Sequence, residues 1–168
     1  MAGRPACPFE FVKALIQRVK SASVAVTDHP VADIGPGLLV MVGFEPGDDE
    51  DRVGTLVQRC LAYRVFADDT GRMNLSLYDC GGSLLLVPQF TLAADTRSGL
   101  RPSFSSSAPP ALARRLFEHA LEVAMDTLGA ARVQQGRFGA DMAVSLINDG
   151  PVTFWLETGR PTGPAAGR

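Results

Sequence analysis

The 168-residue sequence predicts an α+β fold with a mostly antiparallel, barrel-like β-sheet and two helices. Strand-like runs occur at both ends and in the middle of the chain, whereas only two stretches have helical periodicity. Two helices are too few for a sheet built from alternating βαβ units. A composition of 46% hydrophobic and 20% charged residues fits a single soluble domain. We place this domain at residues 10–157, between flexible Pro-, Gly- and Ala-rich tails at 1–9 and 158–168.

The first third of the chain predicts three strands and a helix. Phe11–Val19 and Ser23–Thr27 alternate between apolar and polar residues, which is typical of a hairpin pair. Leu38–Phe44 is an unbroken apolar run and predicts a strand buried on both faces. The acidic run Asp48–Asp51 then begins a helix, because carboxylates in a first turn complement the helix dipole. Its apolar side is spaced as one helical face: Val53, Leu56, Val57, Cys60 and Leu61.

The middle of the chain predicts further strands, a polar loop and the second helix. Tyr63–Phe66 and Leu75–Tyr78 flank a turn, and Ser83–Val87 is a buried strand that Pro88 ends, since proline cannot donate to a ladder. Residues 93–107 form a loop that carries Arg97, Arg101 and many hydroxyls. Two interpretations remain equal here, a solvated connection or a site for phosphate oxygens. The helix after this loop begins at Pro109-Pro110 and ends at Gly129.

The last third of the chain predicts strands at 132–135, 141–147 and 152–156. The final two are separated by Asn148-Asp149-Gly150-Pro151, an order of turn residues that predicts a hairpin. A cis Gly150–Pro151 bond is the minority alternative, since only about 5–6% of X-Pro bonds are cis.

The usual catalytic constellations are missing from the sequence. Cys60 lies within a helical apolar stripe, which indicates a buried thiol, and His29 and His119 are far from any predicted nucleophile. No G-x-S-x-G, G-x-G-x-x-G or Walker pattern and no metal-ligand spacing occurs, so we predict neither a metal nor a cofactor. The net charge of −2 indicates no global field for nucleic acid. Without a leader-like or membrane-spanning run, the expected location is the cytoplasm.

Four motifs in register resemble one family. Leu15–Val19, Pro88–Thr96, Arg101–Phe104 and Asn148–Trp155 together are similar to the D-aminoacyl-tRNA deacylases, over about residues 13–156. The resemblance implies hydrolysis of the ester that joins a D-amino acid, or mischarged glycine, to tRNA, as proofreading in translation. It implies a homodimer with its active sites at the subunit interface.

The resemblance assigns the chiral-selectivity motif to Gly150-Pro151. In the family this pair is cis and enters the pocket of the other subunit, where its carbonyls exclude an L side chain by steric clash. Arg18 is expected to brace the motif, with Asn148 and Pro88 as supporting residues.

In the family's second motif, which is Pro88-Gln89-Phe90-Thr91 here, proline replaces the serine that the family carries at the first position. The resemblance implies catalysis assisted by the 2′-hydroxyl of the terminal adenosine, with the amides of Gln89, Phe90 and Thr91 stabilising the oxyanion. Because Pro88 has no N–H, the donor is Phe90 or a neighbour.

Further residues are assigned to tRNA. Phe138 and Met142 are expected to form an adenine slot, with ordinary core packing as the equal alternative, and Arg97 and Arg101 are expected to contact the tRNA backbone. Two other functions stay open. One is that of a related branch that also carries proline at this position, holds its Gly-Pro trans and accepts L-amino acids. The other is non-catalytic nucleic-acid binding.

Overall fold

Two long strands organise the computed structural model, which describes residues 12–158. The predicted tails, 1–9 and all of 158–168 except Thr158, lie outside the described residues. The strands are β1 (Val12–Val26), β2 (His29–Ile34), β3 (Gly37–Gly43), β4 (Phe66–Ala67), β5 (Met73–Leu75), β6 (Ser83–Pro88), β7 (Val133–Gln135) and β8 (Met142–Thr158). The α-helices are α1 (Glu50–Ala62), α2 (Leu77–Cys80) and α3 (Pro110–Leu128), with 3₁₀ turns at Phe90–Ala93 and Ala130–Arg132.

The main sheet is mixed and nearly closes into a barrel. Its strands follow the order β2-β1-β3-β6-β7, and β8 pairs with β1. β1 is antiparallel to β2, β3 and β8, whereas β6 is parallel to both β3 and β7. Helices α1 and α3 lie in the crossovers that parallel neighbours require. The predicted α+β class and barrel-like sheet are confirmed, and the two parallel pairings, of β6 with β3 and with β7, were not predicted.

Local structure departs from the prediction in several places, and of the predicted strand Tyr63–Phe66 only Phe66 lies in a strand, β4. Ser23–Thr27 is not the hairpin partner of the first strand, because β1 continues through it and turns only at Thr27 and Asp28, whose φ values are +49° and +62°. Leu77–Cys80 is a helical turn rather than a strand, which adds a third helix. The Asp79 carboxylate stabilises this turn by accepting hydrogen bonds from the Ser76 amide (2.8 Å) and hydroxyl (2.6 Å).

The apolar residues form two cores on opposite faces of the sheet. The larger core lies between the sheet and helices α1 and α3 and includes Ile16, Leu38 and the whole predicted stripe of α1. The smaller core lies on the barrel side and includes Val24 and Leu85. The predicted burial of Cys60 is confirmed, and burial raises the pKa of its thiol to about 12. None of the helices within residues 12–158 is long and apolar enough to cross a membrane.

β1 and β8 change their buried face at the same level of the sheet. Even-numbered residues of β1 face the larger core up to Ile16, and the smaller core from Ala22 onward. The pairing with β8 has register shifts on both sides of Val19. Even-numbered residues of β8 likewise face the smaller core up to Leu146 and the larger core from Val152. A bulge makes such a switch possible without breaking the strand.

Asp48 gives the stability of the fold a pH dependence. This carboxyl group is 5% exposed, its Oδ2 accepts from the Glu45 amide at 2.7 Å, and Oδ1 has no hydrogen-bond partner among the described residues. Burial raises its pKa from 3.8 to about 6. The native state therefore holds a proton that the unfolded chain releases, so the free energy of unfolding should fall as the pH rises from about 4 to about 6.

We expect Asp48→Asn to flatten this part of the stability curve, because the amide does not titrate. The measurement is the urea midpoint at pH 4, 5, 6 and 7, with the exposed Asp141→Asn as the matched control. An unchanged slope for Asp48→Asn would show that Asp48 is ionised throughout this range.

Candidate active site

The Gly150-Pro151 pair lies in a bulge within β8, so the predicted hairpin is wrong. Both halves of β8 pair with β1: Thr153 lies opposite Gln17, and Asn148 lies opposite Val19. The four residues 149–152 therefore face a single residue of β1. The Gly150–Pro151 peptide bond is cis, and both residues are exposed.

Arg18 holds the base of this bulge. Its Nε lies 3.2 Å from the main-chain oxygen of Asp149, to which it donates, and 3.0 Å from the Asp149 carboxylate. Its Nη1 donates to the main-chain oxygen of Val65, before β4. The Arg18 side chain is only 14% exposed, so these charge-assisted bonds are sheltered from water.

Asn148 ties the two ends of the bulge together. With its amide nitrogen facing the main chain, it donates to the carbonyls of Arg18 (3.3 Å) and Val152 (3.2 Å). A Cβ at Gly150 would lie 3.0 Å from the end of the Asn148 side chain, so the close approach favours glycine. Arg18 and Asn148 thus fix the segment whose exposed tip is Gly150-Pro151.

The Pro88–Thr91 motif begins where β6 ends. Gln89 still donates its amide to the Val42 carbonyl at 2.8 Å, and the chain then enters the 3₁₀ turn Phe90–Ala93. The first bond of that turn runs from the Leu92 amide to the Gln89 carbonyl at 3.2 Å. The amides of Phe90 and Thr91 come before Leu92 in this turn. The first N–H groups of a helical turn have no acceptor within it, so these two amides are suited to bind an anionic oxygen.

The side chains of this motif are mostly engaged with each other or exposed. Gln89 Nε2 donates to the Thr91 hydroxyl. The Phe90 ring is 56% exposed and contacts the Phe104 ring edge-on, with 5.3 Å between centroids. A Cβ at Gly43 would come within 2.9 Å of the Gln89 carbonyl, so only glycine lets β3 pass under the turn.

The loop after this motif holds the two predicted tRNA-contacting arginines in different states. Arg97 binds the Asp95 carboxylate at 2.7 Å, and this guanidinium holds the pKa of Asp95 well below its usual range. Asp95 also pairs with Ser103 across the loop. Arg101 is exposed. Arg97 is therefore committed to the loop's own structure, and Arg101 is the better placed of the two for a ligand.

Met142 packs against the smaller core, whereas Phe138 packs against the larger one. A Cβ at the buried Gly136 would be 2.8 Å from Met142 Sδ and 3.3 Å from Pro88 Cδ, so Met142 lies beside the end of β6. The Phe138 ring contacts Phe117 of α3, with 6.2 Å between centroids. The structure thus brings Met142 next to the Pro88–Thr91 motif.

The two motifs lie at different levels of the main sheet within one protomer. Gln89 comes one residue after the Val42–Pro88 pair, which places it level with Gly43. Gly43 pairs with Lys13 of β1. Gly150-Pro151 instead lies opposite Arg18 of β1. Five residues along β1 separate these levels, roughly 17 Å at about 3.3 Å per residue. Two intervening strands add to the separation.

Sequence reasoning missed two parts of this arrangement. The Val65 carbonyl that receives Arg18 carries no side-chain signal, and only the fold brings it near. Gly136 had a signal in its place between Gln135 and Arg137, two residues before Phe138, where a small residue permits close packing. Within residues 12–158, no group of three or more His, Cys, Asp or Glu side chains is arranged to hold a metal ion.

Comparison with known proteins identifies the class. The family model of D-Tyr-tRNA(Tyr) deacylase matches residues 15–157, and the chain therefore belongs to this family. It is 62% identical over 146 residues to a D-aminoacyl-tRNA deacylase of Azotobacter vinelandii, covering 87% of this chain and 99% of that protein. It is 59% identical over 142 residues to the D-aminoacyl-tRNA deacylase of Stenotrophomonas maltophilia K279a, covering 84% and 97%.

Solved structures share the fold. The c-Myc DNA unwinding element binding protein superposes with a TM-score of 0.84 at 35% identity, over 88% of this chain and 99% of that one. A probable eukaryotic D-amino acid tRNA deacylase superposes with a TM-score of 0.78 over 88% and 100%, and at 17% identity this likeness concerns the fold alone.

Proposed function

We propose that this protein is a cytoplasmic esterase that hydrolyses D-aminoacyl-tRNA and tRNA mischarged with glycine, releasing the free amino acid and the tRNA. The family and the names of the relatives, at 62% and 59% identity over most of the chain, support this activity. The substrate ester lies at the 3′-terminal adenosine. Its hydrolysis removes residues of the wrong chirality before translation uses them.

The observation that carries the proposed arrangement is the distance between the two motifs. A device that tests the chirality of the α-carbon must contact it, within about 4 Å. The reacting carbonyl is bonded to that carbon, yet in one protomer the bulge and Gln89–Thr91 are separated by five residues along β1, a path of roughly 17 Å, and by two strands across the sheet. We therefore propose a homodimer in which the bulge of one protomer enters the Gln89–Thr91 pocket of its partner.

The surface around the bulge supports such a dimer. β8 pairs only with β1 among the described strands, so its outer edge is open. Ile147 and Trp155, on the two sides of the bulge, are 58% and 47% exposed. Large apolar side chains flanking an open strand edge favour association with another protein surface.

Selectivity is proposed to arise from exclusion. Main-chain carbonyls of Gly150 and Pro151 would occupy the space that an L side chain needs, whereas a D side chain points away and glycine has none. Backbone carbonyls suit this task because they recognise no particular side chain. The hydrogen bonds from Arg18 and Asn148 to the main chain of the bulge support the proposal, because a group that excludes by steric clash has to be rigid.

Catalysis is proposed to combine backbone donors with the substrate's own hydroxyl. Water adds to the ester carbonyl, and the amides of Phe90 and Thr91 stabilise the resulting oxyanion. The carbonyl then re-forms as the adenosine 3′-oxygen leaves with a proton. The 2′-hydroxyl beside that oxygen assists the proton transfers, and Met142 with Phe138 holds the adenine.

The direct test is the rate of amino-acid release from D-Tyr-tRNA, L-Tyr-tRNA and L-Ala-tRNA. We expect D-Tyr-tRNA to be hydrolysed at least about 100-fold faster than either L-ester, because a rigid clash costs several kcal/mol. Fast cleavage of L-Ala-tRNA alone would favour the relaxed-selectivity function. Binding of tRNA without any hydrolysis would favour a non-catalytic role.

Complementation tests the exchange of motifs between protomers. We expect Gly150→Phe to be inactive because its ring would fill the partner's pocket, and Phe90→Pro to be inactive because it removes a donor of its own pocket. After the two variants are mixed and allowed to exchange subunits, half of the dimers are mixed and each has one intact site. Activity should therefore recover to about a quarter of the wild-type value.

Two outcomes would contradict this arrangement. If both motifs serve the site of their own protomer, mixing restores nothing, because no mixed dimer then has an intact site. A monomeric wild-type protein with full activity, measured by light scattering at the assay concentration, would exclude the dimer itself.

A further inference from the structure

A basic groove of about 350 Å³ lies beside Gly136, where an added Cβ would meet both Met142 and Pro88. It starts at Gly136, the residue packed between Pro88 and Met142, and continues past Phe138 to α3. Two arginines line it, Arg114 from α3 and Arg137 from the segment after β7, together with one carboxylate, Glu118. The groove is therefore continuous with the site proposed for the terminal adenosine.

Arg114 is placed by a ring contact and Arg137 by a main-chain hydrogen bond. The Arg114 guanidinium lies over the Phe138 ring, 4.8 Å from its centroid. The Arg137 amide donates to Met142 Sδ at 3.3 Å, which fixes its main chain beside Met142. Within residues 12–158, the side chain of neither arginine forms an ion pair or a hydrogen bond.

The neighbouring arginine is different. Arg115, one residue further along α3, faces away from the groove and pairs with Glu50 at 3.5 Å. Arg18 and Arg97 likewise hold carboxylates. Arg114 and Arg137 thus retain guanidinium donors for a ligand.

We propose that Arg114 and Arg137 bind the phosphodiester that joins the terminal adenosine of the tRNA to the preceding nucleotide. This inference rests on the proposed function and on the adenine lying between Phe138 and Met142. The 5′-phosphate of a nucleotide is one ribose away from its base, and the groove adjoins the proposed slot at Phe138. Guanidinium forks match phosphate oxygens in pairs, and this recognition is independent of base sequence.

Glu118 limits the ligand. One carboxylate beside two guanidinium groups leaves a single net positive charge in the groove, which suits one phosphodiester rather than a run of phosphates or a free terminal phosphate carrying two charges. The groove would therefore recognise a single internucleotide linkage at the end of the acceptor strand.

Three small D-tyrosyl esters separate this phosphate from the rest of the substrate. They are the ester of adenosine, the ester of the dinucleotide cytidylyl-adenosine, and the ester of the same dinucleotide with a neutral methylphosphonate linkage. For wild-type protein we expect kcat/KM to be about tenfold or more higher for the charged dinucleotide than for the other two, through a lower KM.

The double variant Arg114→Gln/Arg137→Gln should lose this preference, whereas the matched control Arg115→Gln should keep it. With full D-Tyr-tRNA, the slope of log KM against log salt concentration should become shallower by about one in the double variant. Melting curves confirm that both variants are folded, and the ratio between esters cancels any general loss of activity.

The outcomes distinguish this inference from the proposed function. If wild-type protein cleaves all three esters with similar kcat/KM, or the double variant keeps the preference for the charged dinucleotide, the phosphate site is wrong while the deacylase activity stands. A preference for both dinucleotides over adenosine would assign recognition to the cytosine and overturn the phosphate site. If wild-type protein cleaves neither these esters nor D-Tyr-tRNA, the proposed function itself fails.

Discussion

A D-Tyr-tRNA that ends in 2′-deoxyadenosine is expected to be hydrolysed about 10²–10⁴-fold more slowly than the same tRNA with a terminal ribose. Near Gln89–Thr91 the structure describes amides and a hydroxyl but no histidine. His119 lies on α3, where its Nδ1 is 3.8 Å from the Glu122 carboxylate. If the protein provides no acid–base side chain at this position, the 2′-hydroxyl of the substrate is the group left to assist proton transfer. Single-turnover release of D-tyrosine from the two tRNAs measures the effect.

Thr91→Ala is the companion variant that separates this account from a protein nucleophile. The Thr91 hydroxyl accepts a hydrogen bond from the Gln89 side chain, which indicates a supporting role. We expect the variant to lose less than about tenfold in rate. A folded Thr91→Ala protein without activity, together with normal cleavage of the 2′-deoxy substrate, would assign the chemistry to Thr91 instead.

Phe90→Pro is expected to lower kcat by about 10²–10³-fold relative to Phe90→Ala, the size of effect seen when one oxyanion donor is removed. Both substitutions remove the exposed ring and its contact with Phe104, but only proline also removes the main-chain N–H. Proline suits the first position of a helical turn, and Gln89 before it has a φ of −139°, outside the helical region. The comparison of the two variants therefore measures the contribution of the Phe90 main-chain N–H to kcat.

Steady-state kinetics on D-Tyr-tRNA and thermal melts of both variants complete this test. Equal kcat values for Phe90→Pro and Phe90→Ala, with similar melting temperatures, would show that the Phe90 amide is not an oxyanion donor. The neighbouring Thr91 amide would then be the remaining candidate in the turn.

The long helices could be predicted from the sequence because their signals are local. The stripe of α1 from Val53 to Leu61 is buried as its spacing predicts, and α3 ends at Gly129, whose φ of +84° favours glycine. In each case the residues that predict the helix lie within the helix or directly next to it. The same is true of Pro88, which ends β6.

The strand pairing could not be predicted in the same way, because partners are distant in sequence. Lys20 is polar and exposed, and between two alternating runs it is typical of a turn, yet β8 supports β1 on both sides of it. The four residues Asn148–Pro151 are likewise typical of a hairpin turn, yet the chain on both sides of them pairs with β1. Only the shared partner β1 shows that they form a bulge.

The candidate site was predicted as segments rather than as an arrangement. The motif residues Gln89, Thr91, Gly150 and Pro151 were located from the resemblance. Their separation along β1, the Val65 carbonyl that receives Arg18, and the groove lined by Arg114 follow from register and packing, which no single segment encodes.

The change of buried face along β8 restricts how the length of the chain can vary. Residues 149–152 connect the two halves of β8. The even-numbered side chains of the first half face the smaller core, and those of the second half face the larger core. Removing a single residue here would turn Val152 and Leu156 toward solvent and bring Thr153 and Trp155 inward. Insertions or deletions at this position therefore keep the buried faces only when they change the length by an even number of residues. The spacing of the Gly-Pro tip is thus set by the packing of the whole domain as much as by any ligand.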